Sequence, residues 1–179
     1  MKLHIGSGPN ILKGWLNIDE QHFPQLSEEE YFQFDLRKPM PFTENSVDFI
    51  YSEHFIEHVP LEDGKRIFKD CFKFLKPGGV FRIATPDLKI LVEAYLVKNT
   101  PPYYVGTGWH PATPCQLLNE GVRYWGHQFI YDEEELTDTL RSVGFGNVYR
   151  AEYNKSKYIE LNGIESRPNN PDLIVEAVK

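Results

Sequence analysis

Cysteine is scarce in this chain: Cys71 and Cys115 form neither a spaced framework nor a Cys-x-x-Cys pair. Disulfide stapling and dithiol chemistry are therefore excluded as organising features, and the usage fits a reducing compartment. Long apolar runs are lacking as well, none approaching the ~20 residues that a membrane-spanning helix needs. The opening Met1-Lys2-Leu3-His4-Ile5-Gly6 lacks the basic and apolar regions of a signal peptide, so a cytoplasmic, membrane-free protein is expected. Basic residues are outnumbered, 19 Lys+Arg against 26 Asp+Glu for a formal charge of −7, which disfavours nucleic acid as a partner. No repeat and no low-complexity tract is found. What remains is ordinary globular material, 41% hydrophobic and 25% charged, too apolar for wholesale disorder. At 179 residues it is expected to form a single domain, 1–179, with a self-sufficient core.

Hydrophobic patterning predicts strands at Leu3–Ile5, Trp15–Ile18, Tyr31–Phe34 and Val47–Tyr51, each closed by glycine or a polar residue. Between Leu61 and Leu75, Ile67, Phe68, Cys71, Phe72 and Leu75 recur at spacings of three and four, which predicts an amphipathic helix. Lys76-Pro77-Gly78-Gly79 stops it, and Val80–Ala84 is a fifth strand. A helix follows at Asp87–Lys98. Residues 99–131, rich in proline, glycine and aromatics, read as an irregular lid or substrate insertion with one short helix near Cys115–Val122. Asp132 and Glu135 form a capping-box signature for a last helix ending at Gly144, and Val148–Tyr153 and Asp172–Val178 close the chain as strands. Strands alternating with helices imply a parallel sheet covered on both faces, with one of the closing strands antiparallel.

In an open α/β sheet, ligands bind beyond the carboxyl ends of the strands. Four such ends carry unusual residues here: Gly6-Ser7-Gly8, Asp19, Asp35 and Ser52-Glu53-His54. The glycines allow a tight turn and close backbone approach, or form a plain turn. A dinucleotide fingerprint needs a third glycine where this chain has Ile11, and Asp19 follows Gly8 too soon for a full crossover helix. No Gly-Lys-Ser/Thr follows for a triphosphate. A nicotinamide oxidoreductase and an ATP-binding enzyme are thereby disfavoured. Asp19, at the end of an apolar strand, suits the two hydroxyls of a ribose; Asp35, in Asp-Leu-Arg-Lys-Pro, suits a ligand contact or an ordinary turn.

The ordered set Leu3-His4-Ile5-Gly6-Ser7-Gly8, Gly14-Trp15-Leu16-Asn17-Ile18-Asp19, Asp35-Leu36, Val47-Asp48-Phe49-Ile50, Ser52-Glu53-His54-Phe55-Ile56-Glu57-His58 and Leu75-Lys76-Pro77-Gly78-Gly79 resembles the motifs of class I S-adenosylmethionine-dependent methyltransferases. It is most similar to a small subgroup with a truncated first crossover. The resemblance implies a Rossmann-like seven-stranded sheet in the order 3-2-1-4-5-7-6, the seventh strand antiparallel, with helices on both faces. It also implies S-adenosyl-L-methionine as cofactor. Gly6, Ser7 and Gly8 would lie against its methionine and ribose, Asp19 on the ribose hydroxyls, Asp35 and Leu36 at the adenine edge, and Ser52 and Glu53 near the methionine end. Ser7 stands where the family often has Cys, and the helix that precedes the first strand in larger relatives has no counterpart, so the cofactor's cover must come from elsewhere.

Methyl transfer is an in-line displacement, and an acceptor with a proton to lose needs a base, for which histidine is suited near neutral pH. His54, just beyond the fourth strand, and His127, in the insertion, are the catalytic candidates; His58 reads as a capping or packing residue. A metal set of His110, His127 and Cys115 matches no common zinc spacing, and no metal is expected. The aromatic run Tyr103-Tyr104, Trp109-His110 and Tyr124-Trp125 suits a planar or sugar substrate, or a homodimer contact. The expected function is transfer of a methyl group to a small-molecule acceptor such as a saccharide or polysaccharide precursor. The alternative is a non-catalytic S-adenosylmethionine-binding module acting with a protein partner.

Overall fold

A computed structural model describes residues 1–21, 23, 26–27, 30–98, 109–168 and 172–179. Seven strands form one sheet: β1 (Lys2–Ile5), β2 (Leu16–Asp19), β3 (Tyr31–Gln33), β4 (Val47–Glu53), β5 (Leu75–Pro86), β6 (Asn147–Arg150) and β7 (Asp172–Val178). Their order is β3-β2-β1-β4-β5-β7-β6, with β1 to β5 parallel and β7 antiparallel to both neighbours. This is the sheet that the motif order implied.

Among the described residues four α-helices accompany it: α1 (Leu61–Phe74), α2 (Leu88–Val97), α3 (Pro114–Gly121) and α4 (Glu133–Ser142). Asp87 caps α2 by accepting from Lys89 N at 3.0 Å, and Asp132 caps α4 by accepting from Glu135 N at 2.9 Å. α1 buries Ile67, Phe68, Cys71 and Phe74 against Leu3, Ile5, Ile50, Phe81 and Ile83, and α4 adds Leu136 and Leu140. At about 1.5–3 kcal/mol per large apolar side chain, this layer is the main stabilising body of the fold. Phe72 packs against the same core, partly buried beside Phe145, 5.2 Å between ring centroids.

Three expectations change. Helices do not alternate with the first strands: among the described residues no helix precedes β4. The ten-residue β1–β2 crossover is too short for one, and Asn17 holds it instead. The buried Asn17 amide accepts from Leu12 N at 2.9 Å and His4 Nδ1 at 3.1 Å, and donates to the carbonyls of Leu12, Trp15 and Glu30. Second, β5 begins at Leu75 directly after α1, and Lys76–Gly79 is a register irregularity within the strand; Gly78 N donates to Lys179 O at 2.9 Å. Third, β6 ends at Arg150, short of Tyr153.

The second face of the sheet is covered more thinly. A single 3₁₀ turn, Ile159–Leu161, and irregular stretches around Leu12, Trp15, Tyr158 and Ile164 pack on Tyr51 and Val80. Beside them Arg82 is fully buried, ion-paired with Glu165 and Glu176, and donating to the carbonyls of Glu152 and Lys155. That cluster ties the 152–165 stretch to β5 and β7, and so positions the residues that follow it.

Candidate functional site

At the end of β1 the chain turns through Gly6 at φ +65°, where any Cβ would also overlap the Phe55 ring; only glycine satisfies both conditions. Ser7 N donates to Ile18 O at 3.0 Å, and Asn10 N closes the turn on Ser7 O at 3.1 Å. Gly8 N donates to Asp19 Oδ2 at 2.8 Å, so the glycine turn and the carboxylate at the end of β2 are one unit. Oδ1 of Asp19 accepts from Gln21 N at 3.0 Å. Each carboxylate oxygen retains acceptor capacity beyond these bonds, as a vicinal diol requires.

Beyond β3, Asp35 is bound to Arg37: Oδ1 accepts from Arg37 N at 3.0 Å and from Nε at 2.8 Å, while Arg37 Nη2 reaches Glu20 at 2.7 Å. These bonds hold the Asp35 carboxyl below its ordinary pKa and make the Asp-Leu-Arg segment a rigid turn. Leu36 is buried beside it.

The end of β4 differs from expectation. Ser52 is fully buried under the site and does not line the cavity. Glu53 accepts from Ser166 N at 2.9 Å and from Ser166 Oγ at 2.6 Å, and Asn10 Nδ2 donates to Ser166 Oγ at 3.0 Å. The Glu53 carboxylate thus fastens the 165–167 loop beside the glycine turn.

His54 is engaged through both ring nitrogens. It holds the left-handed backbone (φ +50°), its Nε2–H donates to both Asp172 carboxylate oxygens at 3.0 Å, and Nδ1 lies 3.1 Å from Glu57 Oε1. Burial alone would depress its pKa, but the bonds to Asp172 and Glu57 outweigh it and hold the ring near 9. An imidazolium between two carboxylates has no lone pair with which to take a proton. Bonded to Asp172 and facing Glu57, His54 is placed to lock β4 to β7 while still lining the cavity.

Together these strand ends surround a cavity of about 370 Å³. It is lined by Gly6, Ser7, Gly8, Asp19, Asp35, Leu36, Glu53 and His54, and also by Phe34, Phe55, His58, Trp125 and Arg167. No sequence motif marks Phe34, Phe55, His58 or Arg167 as site residues, and Trp125 stands out only within the aromatic run. Arg167 has no ion-pair partner among the described residues, and no motif marks it, because it arrives through the Arg82 and Glu53 anchors of a loop remote in sequence. His58, expected to cap or pack, reaches the cavity wall.

His127 does not line the cavity. It stands behind His58 and Trp125, with ring centroids 4.9 and 5.6 Å away, and its Nδ1–H donates to Gly121 O at 3.0 Å. Burial lowers its pKa, leaving the ring neutral. Trp109 is buried between α2 and α3 with Leu91, Ala94, Leu117 and Ile130, its indole donating to Glu120 Oε2 at 2.6 Å. Trp125 is half-exposed, strained at φ +56°, and edge-on to Trp109 at 5.3 Å. Tyr103 and Tyr104 lie outside the described residues, as does the 99–108 part of the expected insertion.

Residues 7–83 match the family model described as "Methyltransferase domain". A phosphoethanolamine N-methyltransferase of Plasmodium falciparum is 45% identical over 42 residues, 24% of this chain and 16% of that protein. Phosphoethanolamine N-methyltransferase 1 of Arabidopsis thaliana is 28% identical over 107 residues, 60% of this chain and 17% of that protein. The chain spans less than a fifth of the length of these curated relatives. Among solved structures, a methyltransferase from Thermotoga maritima, described as a possible histamine N-methyltransferase, aligns at TM-score 0.56 with 19% identity, covering 99% of this chain and 81% of that one. One from Mesorhizobium loti aligns at TM-score 0.56 and 18% identity, covering 99% and 90%.

The sheet order and the site at its strand ends define a class I methyltransferase fold. The methyltransferase-domain match spans residues 7–83, under half of the chain, and the solved structures share its fold; the cofactor that this match and fold imply is S-adenosyl-L-methionine. The residues present fit that group: a carboxylate for the ribose at Asp19, apolar walls at Phe34, Leu36 and Val59, and a guanidinium for a carboxylate at Arg167. No helix among the described residues is long and apolar enough to cross a membrane.

Proposed function

We propose that this chain transfers a methyl group from S-adenosyl-L-methionine to a small-molecule acceptor. The observation that carries the reading is the cavity at the ends of β1 to β4, built on the Gly8–Asp19 hydrogen bond. When bound, the cofactor supplies an electrophilic methyl group on a sulfonium. Asp19 would hold the ribose, the Asp35-Leu36 turn the adenine edge, and Arg167 the methionine carboxylate. Gly6 to Gly8 would give backbone close approach. In-line displacement depends above all on orientation, which contributes on the order of 7–11 kcal/mol of barrier reduction. Rigid walls supply it here: the His54 ion triad fixes the β4 end, and Glu53 fixes the 165–167 loop. Trp125 is the acceptor-side wall, and the 109–131 stretch behind it is the lid. Its ring face suits a saccharide and equally attracts a protonated amine, the acceptor class in the names of the phosphoethanolamine methyltransferases.

Calorimetric titration of S-adenosylmethionine and S-adenosylhomocysteine into the protein and its Asp19→Ala variant tests the reading. Micromolar binding, weakened at least tenfold by the substitution (about 1.4 kcal/mol), is expected, followed by turnover in a screen of sugar and amine acceptors. Absence of heat and of thermal shift with both ligands would sink it. Binding without turnover on any acceptor would favour a non-catalytic module with a protein partner.

A further inference from the structure

Among the described residues, one group of metal-ligating side chains lies beside the cavity, and its Glu57 also faces His54. Glu57, His58 and His127 each offer one ligand atom, all within 4.8 Å of one another. They come together because the 127–129 strip is laced to the turn after β4. Gln128 N and Phe129 N both donate to Glu57 O, at 2.7 and 3.2 Å, and Gln128 Nε2 donates to His58 O at 3.0 Å.

Each member is prepared for a cation. Glu57 is fully buried, and its Oε2 accepts from Thr85 Oγ1 at 3.1 Å. Its Oε1 has no aligned hydrogen bond: it is ion-paired with His54 Nδ1 at 3.1 Å, and His58 Nε2 is 3.9 Å away. A buried carboxylate oxygen so placed keeps lone-pair capacity for a further ligand. His127 anchors Nδ1–H on the Gly121 carbonyl, the outer-shell arrangement that presents Nε2 as a lone-pair ligand. His58 is partly exposed, so its ring can rotate.

From this geometry we infer that Glu57, His58 and His127 form a binding site for a divalent transition-metal cation. Two imidazoles and one carboxylate suit Zn(II), Co(II), Ni(II) or Fe(II) rather than the oxygen-seeking Mg(II) or Ca(II). A tetrahedral cation with ligand bonds of about 2.1 Å needs donors about 3.4 Å apart, so His58 Nε2 closes on Glu57 by roughly half an ångström and the widest pair by up to about 1.4 Å. Because His58 also lines the cavity, the cation would sit at the edge of the acceptor side.

The test uses the untagged full chain, stripped with chelator, and needs neither cofactor nor acceptor, so its failure is separable from failure of the methyltransferase reading. Co(II) is titrated and followed by its visible d–d absorption, with Zn(II) uptake measured in parallel. The expected result is one equivalent bound, affinity at least tenfold lower in His58→Ala and in His127→Ala, and no change in His110→Ala. His58 is partly exposed, so its variant is expected to fold, and the thermal midpoint checks this: Zn(II) raises it in the parent and not in His58→Ala. No stoichiometric uptake, uptake retained in both site variants, or uptake lost only in His110→Ala would each overturn the site.

Discussion

Replacing His54 by asparagine isolates the ion triad from the backbone, because asparagine tolerates the left-handed conformation that position 54 adopts. The substitution removes the cation between Glu57 and Asp172, whose side chains are 0% and 3% exposed. The magnitude follows from linkage. Raising the His54 pKa from 6.5 to about 9 corresponds to about 3 kcal/mol of stabilisation at 1.36 kcal/mol per unit. Breaking a buried ion pair by removing one partner costs about 3–5 kcal/mol, which agrees. The melting temperature should fall by roughly 6–12 °C, at about 2–4 °C per kcal/mol for a chain of this size. The folded-state pKa is the higher one, so the stabilisation is complete below pH 6.5 and lost as pH rises through about 9. Urea unfolding of parent and variant across pH 6 to 10, followed by tryptophan fluorescence, should therefore show a gap near 3 kcal/mol at pH 6 that closes by about pH 10. A gap below 1 kcal/mol at pH 6, or one that does not change with pH, would refute the reasoning. Full stability with abolished turnover would mark His54 as a base.

Three further outcomes are expected. Gly6→Ala adds a Cβ at positive φ that overlaps the Phe55 ring, so cofactor binding by calorimetry should be lost and the melting temperature lowered; unaltered affinity would show that the turn does not carry the ligand. Arg82→Met leaves Glu165 and Glu176 buried without their cation, at a cost of about 3–5 kcal/mol, and should loosen the 165–167 loop; urea unfolding within 1 kcal/mol of the parent would contradict it. His4 titrates oppositely to His54: burial depresses it to about 4, so stability present above pH 6.5 is lost as pH falls through 4. His4→Gln should flatten that acid limb, and an unchanged acid midpoint in urea unfolding at fixed pH steps would count against the assignment.

Much of this molecule is determined locally. The alternation of Leu3, His4 and Ile5, the three-and-four spacing of Ile67, Phe68 and Cys71, and Asp132 three residues before Glu135 dictate strand, helix and cap from neighbouring residues alone. Ordered motifs then carry the sheet order, and the short Gly8–Asp19 interval announces a crossover without a full helix. By itself the sequence determined the fold class, the glycine turn and the carboxylate at the end of β2.

Tertiary structure decided the states of the functional groups, since protonation and availability depend on partners far away in the chain. Asp172 turns His54 from a free imidazole into a locked cation across 118 positions. Ser166 takes up Glu53 across 113 positions, and Arg82 delivers the loop that brings Arg167 to the cavity. His127 meets Glu57 and His58 only because backbone hydrogen bonds lay residues 127–129 along the turn after β4. Periodicity and spacing report which face a side chain buries; the charge it carries there is set by whatever the fold packs against it.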